Sequence, residues 1–131
     1  FHYIEDFPAL LSTIYDKLSS NGILVFSQEH PITTCHKEGD RWEKNDKKQQ
    51  IAYRLNHYRE EGKRDRNWFK QPFQTYHRTT ATIINNLIHA GFQIEQMEEP
   101  MLADQPQWHN EFKDLSHRPL LLFIKARKVE K

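Results

Sequence analysis

The clearest hydrophobic pattern along the chain is a short apolar run, Ile23 to Phe26, that follows the turn signal Asn21-Gly22. An unbroken run of this length predicts a β-strand buried on both faces, as inside a parallel sheet. Ser27 to His30 are polar, and Pro31 then ends the strand because it cannot donate a ladder hydrogen bond. Polar side chains at the carboxyl end of a buried strand are typical of the ligand crevice of an open α/β sheet, although they could also begin a solvated loop.

Apolar residues at helical spacing predict two amphipathic helices. The first covers about residues 7–20 and has Asp6 as its cap. The second begins after Thr79 or Thr80 and ends at Gly91, in the manner of a glycine C-cap. Each helix is followed directly by a strand, so the chain contains two helix-to-strand units.

Two further strands are predicted in the last third of the chain. Phe92 to Met97 alternates as a half-buried strand, and Pro119 to Ala126 is the most apolar run of the sequence. Between them, Trp108 and Phe112 lie four residues apart and favour a short surface helix. The helix-turn-strand order near the start implies a parallel strand before Phe1, and we therefore expect this chain to be a fragment.

The middle of the chain is polar, and its second part is rich in aromatic and basic residues. Residues 33–49 show no period and alternate in charge, which predicts a mobile polar loop. Between Ile51 and Arg78 we expect two short strands around Glu60 to Gly62 or nearby, forming a solvated lid or hairpin. Interleaved aromatic and cationic residues can also stack on bases, so a nucleic-acid surface is an alternative.

Composition bounds the class of protein. A chain of 131 residues with 37% hydrophobic residues is the size of one domain. Its net charge of +1 gives no overall field that would recruit nucleic acid or an anionic membrane. The single cysteine, no apolar run long enough to span a bilayer and no secretion signal together indicate a cytoplasmic protein.

Common site motifs are missing. The four glycines are isolated, so there is neither a dinucleotide fingerprint nor a phosphate-binding loop. Cys35 and His36 are adjacent and cannot easily share one tetrahedral metal ion, and we expect no metal site. Cys35 could act as a nucleophile beside a histidine, although a lone cysteine is more often an inert core residue.

Three histidines stand where predicted elements begin or end: His2, His30 and His77. An imidazole at the shared edge of these elements could accept a substrate proton near neutral pH. The alternative for each is a histidine that only hydrogen-bonds a loop.

Several short motifs occur in a characteristic order. They are His-Tyr-Ile-Glu-Asp-Phe from His2, Glu-His-Pro from Glu29, Tyr-His-Arg-Thr from Tyr76, and Ala-Gly-Phe from Ala90 followed by Glu-Pro at Glu99. In this order the chain resembles the C-terminal half of a class I S-adenosylmethionine-dependent methyltransferase, of the small-molecule methyltransferase type 11 kind. The resemblance covers essentially the whole chain but only the second half of that domain.

The resemblance implies a fold and a cofactor. It implies an α/β Rossmann-like sheet in which only the family's strands 5, 7 and 6 are present, in the order 5-7-6, with the last strand antiparallel. Residues 1–131 would form one partial domain, with an insertion or lid at about 33–77. The cofactor would be S-adenosylmethionine, whose glycine-rich binding turn lies in the absent half, so this chain alone should bind it poorly and be inactive. The exposed edge of strand 5 could support a homodimer.

The resemblance also implies site residues for methyl transfer to a small molecule. Phe1, His2 and Tyr3 match the segment that flanks the cofactor after strand 4. His30 and His77 are the candidates for proton handling. Tyr53, Tyr58 and Arg78 are the candidates for substrate binding. A nucleic-acid-binding or dimerisation module without catalysis remains the alternative to an enzyme.

Overall fold

The structure, a computed structural model, describes residues 1–38, 41–100 and 118–129. The short surface helix predicted around Trp108 and Phe112 lies outside these residues. In chain order the elements are α1 Phe7–Lys17, β1 Ile23–Glu29, α2 Pro31–Thr34, β2 Trp42–Lys44, β3 Gln50–Tyr53, β4 Gly62–Trp68, β5 Gln71–His77, α3 Thr80–Ala90, β6 Phe92–Glu98 and β7 Leu121–Lys128.

The two long helices begin and end where the sequence predicts, within a few residues. The carboxylate of Asp6 accepts a hydrogen bond from the Ala9 amide at 3.0 Å and caps α1. The hydroxyl of Thr79 accepts from the Thr82 amide at 3.2 Å and caps α3. Gly91 ends α3 with a φ of +105°, and a Cβ at this position would lie 2.7 Å from the Tyr15 ring. The end of α3 therefore requires glycine, because other residues are strained at this φ and because their Cβ would clash with the Tyr15 ring.

Three strands form one sheet in the order β1-β7-β6. Strand β7 pairs antiparallel with both neighbours, Phe26 lying opposite Ile124 on one side and Ile94 opposite Ala126 on the other. This arrangement is the predicted order 5-7-6 with an antiparallel last strand, and the prediction of the fold is confirmed. Strand β7 begins and ends two residues later than predicted.

The apolar core lies between this sheet and the two long helices. Its buried residues come from α1, α3 and one face of each strand; they are Phe7, Leu11, Phe26, Ile83, Leu87, Phe92, Leu122, Ile124 and Ala126. The alternation along β7 shows the cause, because its even-numbered residues 122 to 126 face the helices and are buried.

The expectation that β1 is buried on both faces was wrong. Burial alternates along the strand, and Val25 is 62% exposed while Phe26 is buried. Both helices pack on the same face of the sheet as Phe26, and no described residue buries the Val25 side chain. A run of four apolar residues cannot by itself reveal which of its faces the described part of the chain leaves uncovered.

Residues 33–49 differ from the predicted mobile polar loop. Thr33 to His36 are buried, and they belong to the short helix α2 or directly follow it. Further along, β2 pairs antiparallel with β3. The predicted pair of strands exists as the hairpin β4–β5, but its turn is at Phe69-Lys70 and not at Glu60 to Gly62. Both turn residues have positive φ, the twist that two-residue hairpins favour. Charge alternation was therefore a poor guide to burial here.

No helix within the described ranges is long and apolar enough to cross a membrane.

Candidate functional site

His30 stands at the carboxyl end of β1 and fixes the start of α2. Its Nδ1 accepts a hydrogen bond from the Ile32 amide at 3.2 Å, so Nε2 carries the proton and donates to the carboxylate of Glu99. His30 is buried, whereas the Glu99 side chain is 56% exposed. The imidazole therefore orients a carboxylate that faces outward at the end of β6.

Residues Phe1 to Tyr3 lie across the same edge of the sheet. The Tyr76 amide donates to the His2 carbonyl at 2.7 Å, and the Glu29 amide donates to His2 Nδ1 at 3.2 Å. Burial, the positive N-terminal amine and Arg66 lower the pKa of His2 to about 4. His2 is therefore neutral at physiological pH and joins the tip of β1 to β5.

The other two residues of this segment point in opposite directions. The Phe1 ring packs into the core, 4.3 Å from the Phe26 ring centroid. Tyr3 is 59% exposed, with its ring 6.1 Å from Phe73 of the hairpin. Of the three residues predicted to flank a cofactor, only Tyr3 is exposed, and cofactor contact by this segment stays a prediction.

The inner face of the hairpin β4–β5 faces α2. Arg64 lies opposite Thr75 in the register, Arg66 lies opposite Phe73, and His77 lies opposite Gly62. Side chains at alternate positions share a face, so the two arginines, Thr75 and His77 project from the same side. Arg64, Thr75 and His77 are buried. The hairpin thus contributes a polar surface to the interior.

Two arginines bind consecutive backbone carbonyls at the end of α2. Arg66 donates to the Thr34 carbonyl at 2.9 Å and to the His36 carbonyl at 2.7 Å. Arg64 Nε donates to the Cys35 carbonyl between them at 2.9 Å, and its Nη2 donates to the carbonyls of His57 and Glu60. These bonds satisfy carbonyls that a helix end leaves without partners. Sequence analysis did not single out either arginine, although their i, i+2 spacing on a strand is the signal for a shared face.

His77 is buried, and both of its ring nitrogens have partners. Nε2 donates to the Tyr58 carbonyl at 2.7 Å, so Nδ1 accepts from the Thr34 hydroxyl, also at 2.7 Å. Burial lowers the pKa of His77, against a smaller opposing effect from the bond to Tyr58. The Tyr58 hydroxyl in turn accepts from the Thr80 amide at 3.0 Å. These bonds connect α2, the hairpin and α3, and a role of His77 in proton transfer or of Tyr58 in substrate binding stays a prediction.

Arg78 is buried beside α1. Its guanidinium donates to the carbonyls of Ile4 and Glu5 and lies 4.9 Å from the centroid of the Phe7 ring. Burial lowers the pKa of Arg78. The residue also lines a cavity of about 290 Å³ together with Glu61 and His77. Arg78 therefore anchors the first residues of the chain and borders an open space.

Tyr53 packs against His36, which follows the end of α2. Its ring is 4.8 Å from the Trp42 ring and 5.2 Å from the His36 ring, and the Arg118 guanidinium lies 4.9 Å from its centroid. The hydroxyl of Tyr53 is buried and has no hydrogen-bond partner among the residues that the structure describes. Such a group costs about 1–3 kcal/mol when it stays unsatisfied, which makes it a candidate ligand contact.

Cys35 is buried and is not a candidate nucleophile. Its thiol donates to the Ile32 carbonyl at 3.2 Å, and burial raises its pKa despite the opposing effects of backbone hydrogen bonds and of two arginines. A thiolate would therefore be scarce at neutral pH.

The structure brings His2, His30 and His77 to one edge of the sheet, around α2. His30 caps the start of this helix and His77 binds its last residue, Thr34. Glu99 is the partner that sequence analysis missed. Its signal was its place directly after β6, because β1 and β6 both run antiparallel to β7 and so end at the same edge.

Comparison with known proteins shows which proteins this chain resembles. No family model matches the chain. The chain is 92% identical, over all 131 residues, to an uncharacterized protein of Haemophilus influenzae, of which it covers 52%. The chain thus spans about half the length of this relative.

Two solved structures resemble the chain closely. One is a Listeria monocytogenes protein assigned as an S-adenosylmethionine-dependent methyltransferase, at 33% identity and a TM-score of 0.86, covering 98% of this chain and 57% of that one. The other is an S-adenosylmethionine-dependent methyltransferase from Mesorhizobium loti, at 32% identity and a TM-score of 0.78, covering 97% and 57%. The chain therefore has the fold of the C-terminal half of a class I S-adenosylmethionine-dependent methyltransferase.

Proposed function

We propose that this chain is the substrate-side half of an S-adenosylmethionine-dependent methyltransferase that acts on a small molecule. The observation that carries the proposal is the 33% identity and TM-score of 0.86 to the Listeria monocytogenes protein across 98% of the chain. Identity at this level over the full chain supports a shared reaction as well as a shared fold.

Tyr3, at the edge of the sheet, is the residue of the predicted cofactor-flanking segment that we propose to contact the cofactor. Tyr3 is exposed beside the tip of β1, whereas Phe1 and His2 are occupied by the core and by Glu29. The four glycines are isolated in sequence, so this chain contains no glycine-rich turn for the rest of the cofactor. When bound, S-adenosylmethionine supplies a sulfonium methyl group that a substrate nucleophile attacks. Weak cofactor binding by this chain alone follows.

In the proposed reaction, His30 and Glu99 handle the substrate proton as a pair. His30 Nδ1 is occupied by the Ile32 amide and Nε2 donates to Glu99, so the free oxygen of that carboxylate is the available proton acceptor. Burial of His30 holds the imidazole in one orientation, which is the condition for a positioned base. The remainder of the protein's contribution is alignment of the acceptor and exclusion of water.

The test uses a protein that joins this chain to a cofactor-binding half. Glu99→Gln should lower kcat by about 10²- to 10⁴-fold because it removes the proton acceptor, and His30→Ala should lower kcat by less because it removes only the orienting member of the pair. Affinity for S-adenosylhomocysteine, measured by calorimetry, should stay nearly unchanged. His89→Ala is the matched control, because His89 lies exposed on α3.

The alternative is that His30 only caps α2. In that case His30→Ala would lower the thermal midpoint and leave turnover per folded molecule intact. Glu99→Gln separates the two readings, since it keeps a hydrogen-bond acceptor for His30 and removes the base. Unchanged turnover in both variants would end the assignment of this pair.

A further inference from the structure

Two residues at the end of β5 hold the backbone of the first five residues of the chain. The Tyr76 amide donates to the His2 carbonyl at 2.7 Å. Two positions later, the Arg78 guanidinium donates to the Ile4 carbonyl and, at 2.9 Å, to the Glu5 carbonyl. Both residues belong to the Tyr-His-Arg-Thr motif. This motif therefore binds the segment that the resemblance places beside the cofactor.

The guanidinium of Arg78 is itself fixed in position. Arg78 is 9% exposed, and its guanidinium lies 4.9 Å from the centroid of the Phe7 ring, which belongs to the apolar core. Its Nη2 makes both bonds to the segment. A buried cation costs free energy unless its donors are paired, so these two bonds are needed to keep the guanidinium buried. The segment is thus tied to a donor that the core holds in place.

Tyr3 is an exposed side chain between two fixed stretches of backbone. On its amino-terminal side the Phe1 ring packs 4.3 Å from the Phe26 ring centroid, and His2 Nδ1 accepts a hydrogen bond from the Glu29 amide at 3.2 Å. On its carboxyl-terminal side the next two carbonyls are held by the guanidinium described above. A side chain on a backbone that is already ordered can bind a ligand at a low further entropy cost.

The same run of residues also binds the substrate side of the site. His77 lies between Tyr76 and Arg78, and its Nδ1 accepts from the Thr34 hydroxyl at 2.7 Å. Thr34 is the last residue of α2, the helix that His30 caps at its start. The end of β5 therefore links the segment at the start of the chain to the helix that follows the proposed base pair.

We infer that Arg78 is a positioning residue for cofactor binding: it holds the backbone of residues 1–5 in the conformation in which Tyr3 meets S-adenosylmethionine. The inference rests on the proposed function, because Tyr3 is proposed there to contact the cofactor. In this role Arg78 acts through the segment and does not touch the cofactor itself.

The first test measures backbone motion in the 131-residue chain by NMR. In Arg78→Met the order parameters of the Ile4 and Glu5 amides should fall from about 0.85, the value of a rigid backbone, to below about 0.6. Arg64→Met is the matched control, because Arg64 is another buried arginine that donates to carbonyls, but to those at the end of α2 and in the loop before β4. This control should leave the segment rigid. Equal order parameters in Arg78→Met and the parent chain would overturn the inference.

The second test measures affinity for S-adenosylhomocysteine by calorimetry in the protein joined to a cofactor-binding half. Arg78→Met should weaken binding about fivefold or more, and Arg78→Lys should recover part of the loss because lysine keeps a cationic donor. A residue that only stabilised the fold would lower the thermal midpoint and leave the affinity of the folded molecules unchanged. Arg64→Met should behave in that way and bind within about twofold of the parent.

Tyr3→Ala keeps the test decisive if Arg78→Met disturbs folding. Because Tyr3 is 59% exposed, this variant should keep the thermal midpoint while the affinity for S-adenosylhomocysteine falls about fivefold. In the double variant Arg78→Lys with Tyr3→Ala the two losses should not add, because both act through the same side chain. Unchanged affinity in Tyr3→Ala, or additive losses in the double variant, would overturn the inference.

Failure of this inference and failure of the proposed function give different results. A flexible segment in Arg78→Met with unchanged affinity for S-adenosylhomocysteine would overturn the inference and leave the methyltransferase assignment intact. If the parent joined protein neither bound S-adenosylhomocysteine nor transferred a labelled methyl group, the proposed function would fail, and with it the cofactor role of Arg78. Loss of order in Arg78→Met would then still establish that Arg78 fixes the segment.

Discussion

The chain contains two interiors that are built by different forces. Between the sheet and the helices α1 and α3 lies an apolar core, to which nine buried residues of the described ranges belong, and burial of hydrocarbon there is non-directional. Between α2, the hairpin and the first residues lies a polar interior, where Arg64, Arg66 and His77 make directed hydrogen bonds to backbone or hydroxyl groups. The stability of the apolar core therefore depends on how well side-chain volume is filled, whereas that of the polar interior depends on hydrogen-bond geometry.

This difference explains where a binding site can form. The apolar core contains no polar groups that need partners, whereas the polar interior leaves the buried Tyr53 hydroxyl without a hydrogen-bond partner among the described residues. Polar groups held in place by a rigid network are available to a ligand at little further ordering cost. The polar interior is also where the predicted histidines meet. The four predictions that follow compare the two regions, beginning with the largest effect.

Leu87→Ala should lower the free energy of unfolding by about 2–5 kcal/mol, because Leu87 is fully buried in the apolar core and the substitution leaves a cavity. Ile88→Ala is the matched control, because Ile88 is next to Leu87 in sequence but is 52% exposed. This substitution should lower the free energy of unfolding by no more than about 0.5 kcal/mol. Urea denaturation of both variants measures the difference. Similar losses in the two variants would contradict the described core.

Conservative substitutions should separate volume from geometry. Arg64→Lys keeps the charge but loses the fork that reaches three carbonyls, and should cost about 1–3 kcal/mol. Leu87→Met, which keeps volume, should cost less than about 1.5 kcal/mol. If Arg64→Lys were neutral in urea denaturation, the polar interior would tolerate substitution as the apolar core does, and the comparison would fail.

Acid should destabilise the polar interior first. The pKa of His2 is about 4 in the folded chain and about 6.5 in an unfolded one. Between these two pH values the unfolded state binds a proton at His2 and the folded state does not. The stabilisation is complete above pH 6.5 and is lost as the pH falls from 6.5 towards 4. His77, whose pKa is also lowered, acts in the same direction.

His2→Asn tests this pH dependence, because asparagine keeps a hydrogen-bond acceptor and cannot titrate. Thermal midpoints measured between pH 7 and pH 4.5 should fall less steeply for this variant than for the parent chain. A parallel fall in the two proteins would show that the destabilisation arises elsewhere.

The smallest expected effect concerns the exposed edge of the sheet that bounds the apolar core. Strand β1 is an edge strand of the three-stranded sheet, and Val25 leaves an apolar side chain exposed on it. We expect weak self-association of the chain through β1, visible by light scattering only at high concentration, and its suppression by Val25→Lys. A clean monomer of the parent chain at high concentration would remove this proposal.

The sequence by itself determined the two long helices and, through the resemblance that its motifs carry, the three strands of the main sheet and their order. Asp6, Thr79 and Gly91 act through local bonds and backbone conformation, so their signals are readable within a few residues. The ordered motifs around His30 and Glu99 carried the resemblance that predicted the order 5-7-6. Helix caps of this kind depend only on residues that are close in sequence, so they can be recognised without knowledge of the tertiary structure.

Only the tertiary structure decided which polar residues are interior. Thr33 to His36 and Arg64 stand among alternating charges in the sequence, yet they are buried, because a hairpin about 30 residues away supplies donors for the carbonyls at the end of α2. Such partners are distant in sequence, and no local period reports them. The pairing of His30 with Glu99 has the same origin, because it exists only where the chain returns to one edge of the sheet.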